Sequence, residues 1–399
     1  MGYFTCRETM RTWESISMNR KIAVVGLGST GSMALWHLSR TPGIEAIGFE
    51  QFGIGHGYGA YTGESRLFRM AYHEGSTYVP LLRRARELWL QLGAASGRQL
   101  LHNFGVLSTG KEDTAAFQSL LASVSDHDLP HERLTAQQLR ERYTGMDTRD
   151  DEAGVLDLQG GALRPELAVI SAIEQARRNG ARVYDHTGIT GIEDTGAGVR
   201  ITTGDSEMMV DQVIVTTGAW SAAVVPEIRD LIEVRKLVLT WFLPTDTAAF
   251  TPDRMPCFIR DRDGFHIFGA PSVDGYSVKI AGLDLWGGPS CPRVEESDLR
   301  LERAAVSAFG RRVHDLFPGV LPEPNRYSVH YDTYTSTKAP IIDRVGDVVV
   351  LTGGSGHGFK LAPAYGELAT RLAVGIDNPL LSPDFAITAH DRFVGAVAA

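Results

Sequence analysis

The chain has 399 residues, which is more than one small hydrophobic core accommodates, so its length predicts two domains. A net charge of −9 argues against nucleic acid and anionic membranes as partners, because both require a basic surface. No apolar run approaches the roughly 20 residues that span a bilayer. These features favour an acidic globular protein of the cytoplasm, and we expect a monomer because no apolar surface stripe is evident.

The first 19 residues are predicted to be a loose extension, because they lack the apolar core of a secretory signal. The three cysteines, Cys6, Cys257 and Cys291, are scattered without the spacing of metal ligands. An odd and sparse set fits a reducing compartment better than a disulfide framework. We therefore expect neither a metal site nor a disulfide.

The segment after the extension predicts a βαβ unit. Ile22–Val25 is a short β-branched strand, Ser32–Arg40 has apolar residues at helical spacing, and EAIGFE follows as a second strand that ends in Glu50. The turn between strand and helix carries three glycines at GxGxxG spacing, Gly26, Gly28 and Gly31. A turn of this kind, with an acid about twenty residues further on, is the fingerprint of dinucleotide binding.

Each part of this fingerprint has a physical role. Gly26 permits the tight turn, Gly28 allows a pyrophosphate to approach the backbone, and Gly31 allows helix and strand to pack closely. The helix N-terminus supplies amide donors and the positive end of a dipole. Glu50 is expected to accept hydrogen bonds from a ribose diol. The alternative is a Rossmann turn that binds no nucleotide.

Later segments predict further elements of two sheets. Val210–Trp220 and the stretch DVVVLTGGSGHGFK each begin with an apolar strand that could join the first sheet, and Pro256–Gly288 reads as alternating strands joined by Asp-Gly turns. Tyr78–Trp89 and Arg164–Gly180 have the periodicity of amphipathic helices. Because pieces of the dinucleotide sheet lie at the start, middle and end of the chain, the pattern favours a flavoprotein oxidase over a nicotinamide dehydrogenase.

Motifs along nearly the whole chain from Lys21 resemble those of one family. The matching stretches are GLGSTGSMALWHL, GESRLFRMAYHEGSTYVPLLRRARELW, GALRPELAV, VIVTTGAW, YSVKIAG and GGSGHGFKLAPAYGE. They resemble the monomeric sarcosine oxidase family of FAD-dependent amine oxidases, and within it the bacterial fructosyl-amino acid oxidases. The resemblance implies an α/β fold with a glutathione-reductase-type FAD domain and a substrate domain with a mixed, largely antiparallel sheet.

Placed on this sequence, the resemblance predicts discontinuous domains. The FAD-binding domain comprises residues 20–104, 158–233 and 335–390, and the substrate-binding domain comprises residues 105–157 and 234–334. The cofactor-binding residues expected from the motifs are Gly26, Gly28, Ser29, Thr30, Gly31, Glu50, Ser65, Arg66, Ile189, Thr217, Gly218, Trp220, Gly354, Gly356, His357, Gly358, Phe359 and Lys360.

Two cations match the family's positions for the substrate carboxylate, Arg69 and Lys360. An arginine offers a bidentate fork for a carboxylate, and a lysine adds a point charge. The alternative for Lys360 is a solvated surface position. Arg66 and Arg69 are three residues apart, so they could share a face of a helix or tight turn. For Arg66, a salt bridge to Glu64 or Glu74 is the competing interpretation.

The glycines at 353, 354, 356 and 358 would allow backbone amides and the start of the next helix to face the pyrimidine edge of a reduced flavin. Lys279 matches the family lysine that promotes oxygen reduction, because a fixed ammonium stabilises superoxide in a low-dielectric pocket. A solvated lysine on a strand is the alternative. His357 is expected to be a structural hydrogen-bonding residue, and no side-chain base is required if the cations lower the pKa of the bound amine.

The chain departs from the family at several positions. Some members attach FAD through a cysteine at the position of His330, so we predict noncovalent FAD, with a histidyl link as the alternative. An active-site histidine is replaced by Leu283, and two tyrosines are replaced by Ile267 and Phe268. This weakens the case for sarcosine and leaves room for a larger N-substituent. Candidates for contacts to sugar hydroxyls are Asp261, Arg262, Asp284 and Tyr334.

The leading hypothesis is therefore an oxidase of fructosyl amino acids. FAD accepts a hydride equivalent from the C–N bond, O2 is reduced to H2O2, and the imine is hydrolysed to glucosone and the free amino acid. The partners expected are a small glycated amino acid and O2. The alternatives are an oxidase of sarcosine or N-methyltryptophan, and a flavin-binding protein without turnover.

Overall fold

The structure is a computed structural model, which describes residues 19–71, 76–285, 294 and 299–393. The predicted extension, apart from its last residue, lies outside the described residues, and so do Cys6 and Cys291. Within the described part no helix combines the length and the apolar character that crossing a bilayer requires.

The described residues contain eight α-helices. Their bounds are α1 Ser29–Leu38, α2 Val79–Ser96, α3 Ala115–Asp126, α4 Ala136–Arg142, α5 Pro165–Arg178, α6 Ser221–Val224, α7 Arg303–Leu316 and α8 Ala362–Val374.

The same residues contain twenty β-strands. Their bounds are β1 Arg20–Val25, β2 Ile44–Phe49, β3 Arg66–Phe68, β4 Leu101–His102, β5 Val106–Lys111, β6 His131–Leu134, β7 Glu152–Asp157, β8 Gly161–Leu163, β9 Arg182–Tyr184, β10 Ile189–Asp194, β11 Val199–Thr203, β12 Glu207–Val210, β13 Gln212–Val215, β14 Glu233–Pro244, β15 Cys257–Arg262, β16 Phe265–Ala270, β17 Val278–Gly282, β18 Val320–Tyr334, β19 Ile341–Val345 and β20 Val348–Thr352.

A six-stranded sheet carries the predicted βαβ unit, in the order β19-β20-β13-β1-β2-β9. The five strands from β20 to β9 are parallel, and only β19 runs antiparallel to its neighbour. Most of their valines and isoleucines are buried because helices and a small antiparallel sheet, β10-β11-β12, cover the faces. The predicted strands at the start, middle and end of the chain therefore do join one sheet.

Helices α1, α5 and α8 pack together beside this sheet. The backbones of α1 and α8 approach closely at Gly366, where an added Cβ would lie 2.7 Å from the backbone nitrogen of Ala34. The predicted helices over Tyr78–Trp89 and Arg164–Gly180 are observed as α2, which continues to Ser96, and α5. Each presents its apolar residues to the core formed with α1 and α8.

An eight-stranded mixed sheet lies opposite, in the order β18-β14-β17-β16-β15-β5-β7-β6. All of its neighbouring pairs are antiparallel except β15 with β5. The alternating segment predicted from Pro256 forms β15, β16 and β17, and Asp263 and Gly264 make the first turn with positive φ angles of 50° and 77°. A separate three-stranded sheet, β3-β8-β4, completes the fold.

The predicted fold class, mixed α/β, is confirmed. The domain boundaries remain a prediction. Every strand of the six-stranded sheet comes from a range assigned to the first domain, and the strands of the eight-stranded sheet come from ranges assigned to the second, except that β14 begins one residue earlier, at Glu233.

Candidate functional site

A cavity of about 630 Å³ lies between the two large sheets. One wall is formed where the parallel strands β1, β2, β13 and β20 end, the usual ligand-binding edge of such a sheet. The other wall is formed by strands β14 to β18 of the eight-stranded sheet.

All but one of the predicted cofactor-binding and substrate-binding residues line this cavity, although they come from seven separate stretches of the chain. The exception is Gly31. A Cβ on Gly31 would lie 1.8 Å from the backbone oxygen of Gly26 and 2.3 Å from Oγ1 of Thr216, so Gly31 allows the helix to pack on the strand ends, as its predicted role requires. Gly26 has φ of 87°, a conformation that a side chain would strain.

The N-terminus of α1 opens on the cavity at Gly28, Ser29 and Thr30. No side chain caps this end, and the first amides of a helix have no partner within it. A Cβ on Gly28 would make only ordinary contact, 3.5 Å from the ring of Tyr61, so Gly28 leaves the backbone open to a ligand. Uncapped amides at the positive end of a helix dipole fit a pyrophosphate.

Glu50 follows β2 and is buried at the cavity wall. One of its oxygens accepts a hydrogen bond of 2.8 Å from the amide of Leu27, and the other accepts one of 3.0 Å from the amide of Phe52. These bonds fix the carboxylate beside the glycine turn, where its remaining acceptor capacity suits a ribose diol. The geometry of α1, Gly28 and Glu50 therefore fits the adenosine diphosphate part of FAD.

The glycine-rich turn after β20 also lines this wall of the cavity. Gly353, Ser355 and Gly356 have positive φ angles of 75°, 49° and 81°. His357 is buried, and its Nε2 forms a hydrogen bond of 3.0 Å with the carbonyl oxygen of Lys338, in line with the structural role predicted for it.

Lys360 lies in a short 3-10 helix that leads into α8, and it is buried rather than solvated. Its Nζ donates a hydrogen bond of 2.9 Å to the carbonyl oxygen of His357. The carbonyl oxygen of Lys360 accepts a hydrogen bond of 2.9 Å from the indole nitrogen of Trp89, and the Trp89 ring stacks on Phe359. The turn therefore holds the ammonium at the cavity wall.

The local structure predicted around Arg66 and Arg69 is wrong. Arg66 belongs to strand β3, and Arg69 follows the end of that strand, so the two share no helical face. The strand forms because β3 pairs with β8, where Arg66 lies opposite Leu163. Both arginines nevertheless line the cavity, and Arg69 is buried.

Arg66 donates hydrogen bonds to backbone carbonyls, 2.8 Å each to those of Ser65 and Ala60 and a third to that of Thr62. Burial lowers the pKa of Arg66 to about 10, although nearby carboxylates oppose the fall. The competing salt bridge to Glu64 is not found, because within the described residues Glu64 pairs with Arg326 at 2.5 Å. Glu74 lies outside the described residues.

Lys279 in β17 is buried and faces the cavity, so the alternative of a solvated strand lysine does not hold. Its Nζ donates a hydrogen bond of 2.9 Å to the carbonyl oxygen of Gly63 and a shorter one to that of Ser65. The same nitrogen lies 5.7 Å from the ring centre of Trp241. Burial first, and the neighbouring Arg66 second, hold the pKa of Lys279 well below its usual value. The carbonyl acceptors keep the amine in a fixed place beside the cavity.

His330 in β18 is buried beside the cavity and does not line it. Its Nδ1 lies 3.0 Å from Oγ1 of Thr62 and from the carbonyl oxygen of Gly57, and its Nε2 lies 2.8 Å from Oγ of Ser328. Burial first, then Arg66, lowers its pKa to about 4. Cys257, the cysteine within the described residues, is fully buried and also does not line the cavity.

Of the positions where the chain departs from the family, Phe268 and Leu283 line the cavity. Ile267 does not, because alternation along β16 turns it into the core. Of the four candidates for sugar contacts, only Tyr334 lines the cavity. The other three each pair with a protein group, Asp261 with His266, Arg262 with Glu152 and Asp284 with Arg312.

Sequence reasoning missed several residues of the cavity wall. They include Tyr61, Arg235, His266, Tyr331 and Asp332. Burial raises the pKa of Asp332 to about 6, although the backbone amides of Thr333 and Gly356 and the charge of Arg66 oppose the rise. No local signal in the sequence marked Asp332, because a buried acid at a cavity wall and a solvated acid on a strand have the same sequence pattern.

Comparison with known proteins agrees with this geometry. Residues 21–372 match the family described as FAD dependent oxidoreductase (DAO). The chain is 30% identical to monomeric sarcosine oxidase of Streptomyces avermitilis over 88% of its own length and 93% of the relative's. It is also 30% identical to N-methyl-L-tryptophan oxidase of Yersinia pestis over 91% of its length and 97% of the relative's.

Two solved structures show the same fold at low sequence identity. The structure of NikD, an unusual amino acid oxidase of nikkomycin biosynthesis, has a TM-score of 0.81 at 18% identity and covers 93% of this chain and 98% of its own. The structure of fructosyl amine:oxygen oxidoreductase (Amadoriase I) from Aspergillus fumigatus has a TM-score of 0.74 at 18% identity. The match covers 93% of this chain and 90% of the Amadoriase I chain. At this identity the likeness extends to the fold alone.

Proposed function

Because the chain belongs to the FAD dependent oxidoreductase (DAO) family and is an amine oxidase acting on CH–NH donors, we propose that it oxidises the secondary amine of fructosyl amino acids. The amine loses two electrons and two protons to become an imine, and O2 gains them to become H2O2. Water then cleaves the imine into glucosone and the free amino acid. The observation that carries the proposal is that Arg69, Lys279 and Lys360, from three distant segments, line the same cavity as the dinucleotide turn.

FAD would supply the electron acceptor, which takes a hydride equivalent from the substrate and passes the electrons to O2. The residues suited to hold it are those at the start of α1, Glu50, and the glycine turn from Gly353 to Gly358. We propose that it is bound without a covalent bond. The hydrogen bonds to both ring nitrogens of His330 and the absence of this residue from the cavity wall support that view.

Arg69 and Lys360 are proposed to bind the carboxylate of the amino acid. Both are buried, so their charges act in a medium of low dielectric constant and fix the substrate strongly. Together they also place positive charge around the amine, which favours its neutral form, the form that can release a hydride. Lys279, held by two carbonyl oxygens, is proposed to stabilise the anion formed as O2 is reduced.

The nature of the N-substituent separates two candidate functions. Phe268 and Leu283, where the related family has a tyrosine and a histidine, leave an apolar wall that favours a substrate larger than sarcosine. The names of the relatives at 30% identity favour the second candidate, oxidation of N-methyl amino acids such as sarcosine or N-methyltryptophan.

Anaerobic titration of the purified holoprotein with fructosyl-valine, fructosyl-lysine, sarcosine and N-methyltryptophan tests the proposal. We expect bleaching of flavin absorbance with a fructosyl amino acid, and H2O2 release on admission of air in a peroxidase-coupled assay. Bleaching by the N-methyl amino acids alone would establish the second candidate. A yellow protein that none of the four reduces would favour flavin binding without turnover, and a colourless one would contradict all of these readings.

A further inference from the structure

His266 stands on the wall of the cavity at a position that the proposed chemistry leaves unassigned. Along β16 the side chains of Phe265 and Ile267 enter the core beneath the eight-stranded sheet, whereas His266 and Phe268 line the cavity. This is the alternation that a strand imposes. His266 is therefore directed to the cavity by the same pattern that buries its neighbours.

The ring of His266 is oriented by Asp261, its cross-strand partner on β15. The Nδ1 of His266 lies 2.6 Å from Oδ1 of Asp261. An ionised carboxylate only accepts hydrogen bonds, so Nδ1 carries the proton and Nε2 is the ring atom left to meet another molecule. Within the described part of the chain, no hydrogen bond to Nε2 of His266 is found.

Apolar side chains share this wall with His266, together with charged groups such as Lys279 and Arg235. Ile259, Leu239, Phe268 and Leu283 line the same side of the cavity. An apolar wall discriminates weakly between an alkyl chain and a chain that carries hydroxyl groups, whereas a fixed hydrogen-bonding group discriminates more strongly. A histidine on such a wall, held in place by a carboxylate, is the kind of feature that selects for a polar substituent.

We propose that His266, oriented by Asp261, binds a hydroxyl group of the substituent on the substrate amine and thereby selects polyhydroxylated over alkyl substituents. This inference rests on the proposed function, since it takes the cations Arg69 and Lys360 to bind the carboxylate end of the same substrate. His266 is a specificity-determining residue in this scheme, and Asp261 is a positioning residue.

The test compares two substrates whose N-substituents both contain six carbons, fructosyl-glycine and N-hexylglycine, in the wild type and in His266→Leu, His266→Asn and Asp261→Asn. For His266→Leu we expect kcat/KM to fall about 30-fold for fructosyl-glycine, mainly through KM, and to stay within about twofold for N-hexylglycine. His266→Asn should recover part of the loss because its amide hydrogen-bonds a hydroxyl. Asp261→Asn should lose less than His266→Leu.

Two results would overturn the inference. If His266→Leu lowers kcat/KM for both substrates in parallel, or lowers the melting temperature of the holoprotein by several degrees, the residue is structural. If neither substrate is affected, His266 does not contact the substituent.

Failure of the proposed function gives a different result, namely a wild type that oxidises N-hexylglycine or sarcosine without oxidising fructosyl-glycine. In that case the same variants are compared on N-(2,3-dihydroxypropyl)glycine and N-propylglycine. A preference for the diol that His266→Leu abolishes would support the role of the histidine without a sugar substrate, and an unchanged ratio would refute it.

Discussion

The two walls of the cavity are built from different parts of the polypeptide. On the wall formed by the six-stranded sheet, the proposed recognition groups are mainly backbone: the uncapped amides of α1 and the turn from Gly353 to Gly358. On the wall formed by the eight-stranded sheet, they are side chains, above all Lys279 and His266, projecting from separate strands. A backbone site is specified by a short motif, whereas a side-chain site depends on which strands become neighbours.

Replacement of Gly31 with alanine should have the largest effect on the backbone wall. The new Cβ would lie 1.8 Å from a backbone oxygen of Gly26, and neither α1 nor the turn can move without disturbing the strand ends. We expect the free energy of unfolding to fall by about 3 kcal/mol and FAD to be lost on purification. Thermal unfolding and the flavin-to-protein absorbance ratio measure these effects.

Two matched alanine variants act as controls. Gly28→Ala adds a Cβ only 3.5 Å from Tyr61, so it should leave stability nearly unchanged while weakening FAD binding at the helix end. Gly204→Ala adds a Cβ with nothing within 4 Å and should change neither quantity. If Gly31→Ala behaves like Gly204→Ala, the close packing of α1 on the strand ends is not required for the site.

This contrast also explains how much could be read from the sequence. The βαβ unit, the two amphipathic helices and the hairpins from Pro256 are recognisable because each depends on neighbours within about twenty residues. The assignment of Arg66 to a helix or turn failed because its conformation is set by pairing with Leu163, nearly a hundred residues away.

The side-chain wall shows a second limit. Ile267 and Phe268 are both apolar, so the sequence could not decide which of them faces the cavity, and the pairing of β16 with both neighbours determines that it is Phe268. Asp332 was missed for a related reason, since nothing local distinguishes a buried acid at a cavity wall from a solvated one on a strand. Lys279 was predicted only from the resemblance to a family, because the sequence pattern around it does not show that this lysine is buried.

His330 in β18 allows a test of the packing behind the eight-stranded sheet's wall that is independent of catalysis. Its pKa falls from 6.5 to about 4 because burial and then Arg66 disfavour the imidazolium, a difference worth about 3 kcal/mol. A group whose pKa is lowered by folding contributes stability that is present above its unfolded value and is lost as pH falls towards the folded one. The holoprotein should therefore lose stability between about pH 6.5 and 4.

The measurement is urea unfolding at a series of pH values for the wild type and His330→Gln. The variant cannot titrate at this position, so its loss over the same interval should be smaller by up to about 3 kcal/mol, while the other titrating groups cancel in the difference. Parallel pH curves would show that His330 is protonated, or well solvated, in the folded protein, contrary to the burial seen between β18 and residues 57–62.

Lys279→Met should leave the wall formed by the six-stranded sheet intact while removing a charge from the wall formed by the eight-stranded sheet. The variant therefore tests the contribution of the second wall to the reaction separately from cofactor binding by the first. If the ammonium held by the carbonyls of Gly63 and Ser65 stabilises the anion formed from O2, its loss should slow reoxidation of the reduced flavin about 100-fold. Anaerobic reduction by substrate should change only a few-fold. Lys236→Met is the matched control, because Lys236 lines the same cavity from β14 but donates its hydrogen bond to the carbonyl of Arg300. Stopped-flow absorbance measures both half-reactions, and an equal slowing of reoxidation in the two variants would attribute the effect to net charge instead of to the fixed position of Lys279.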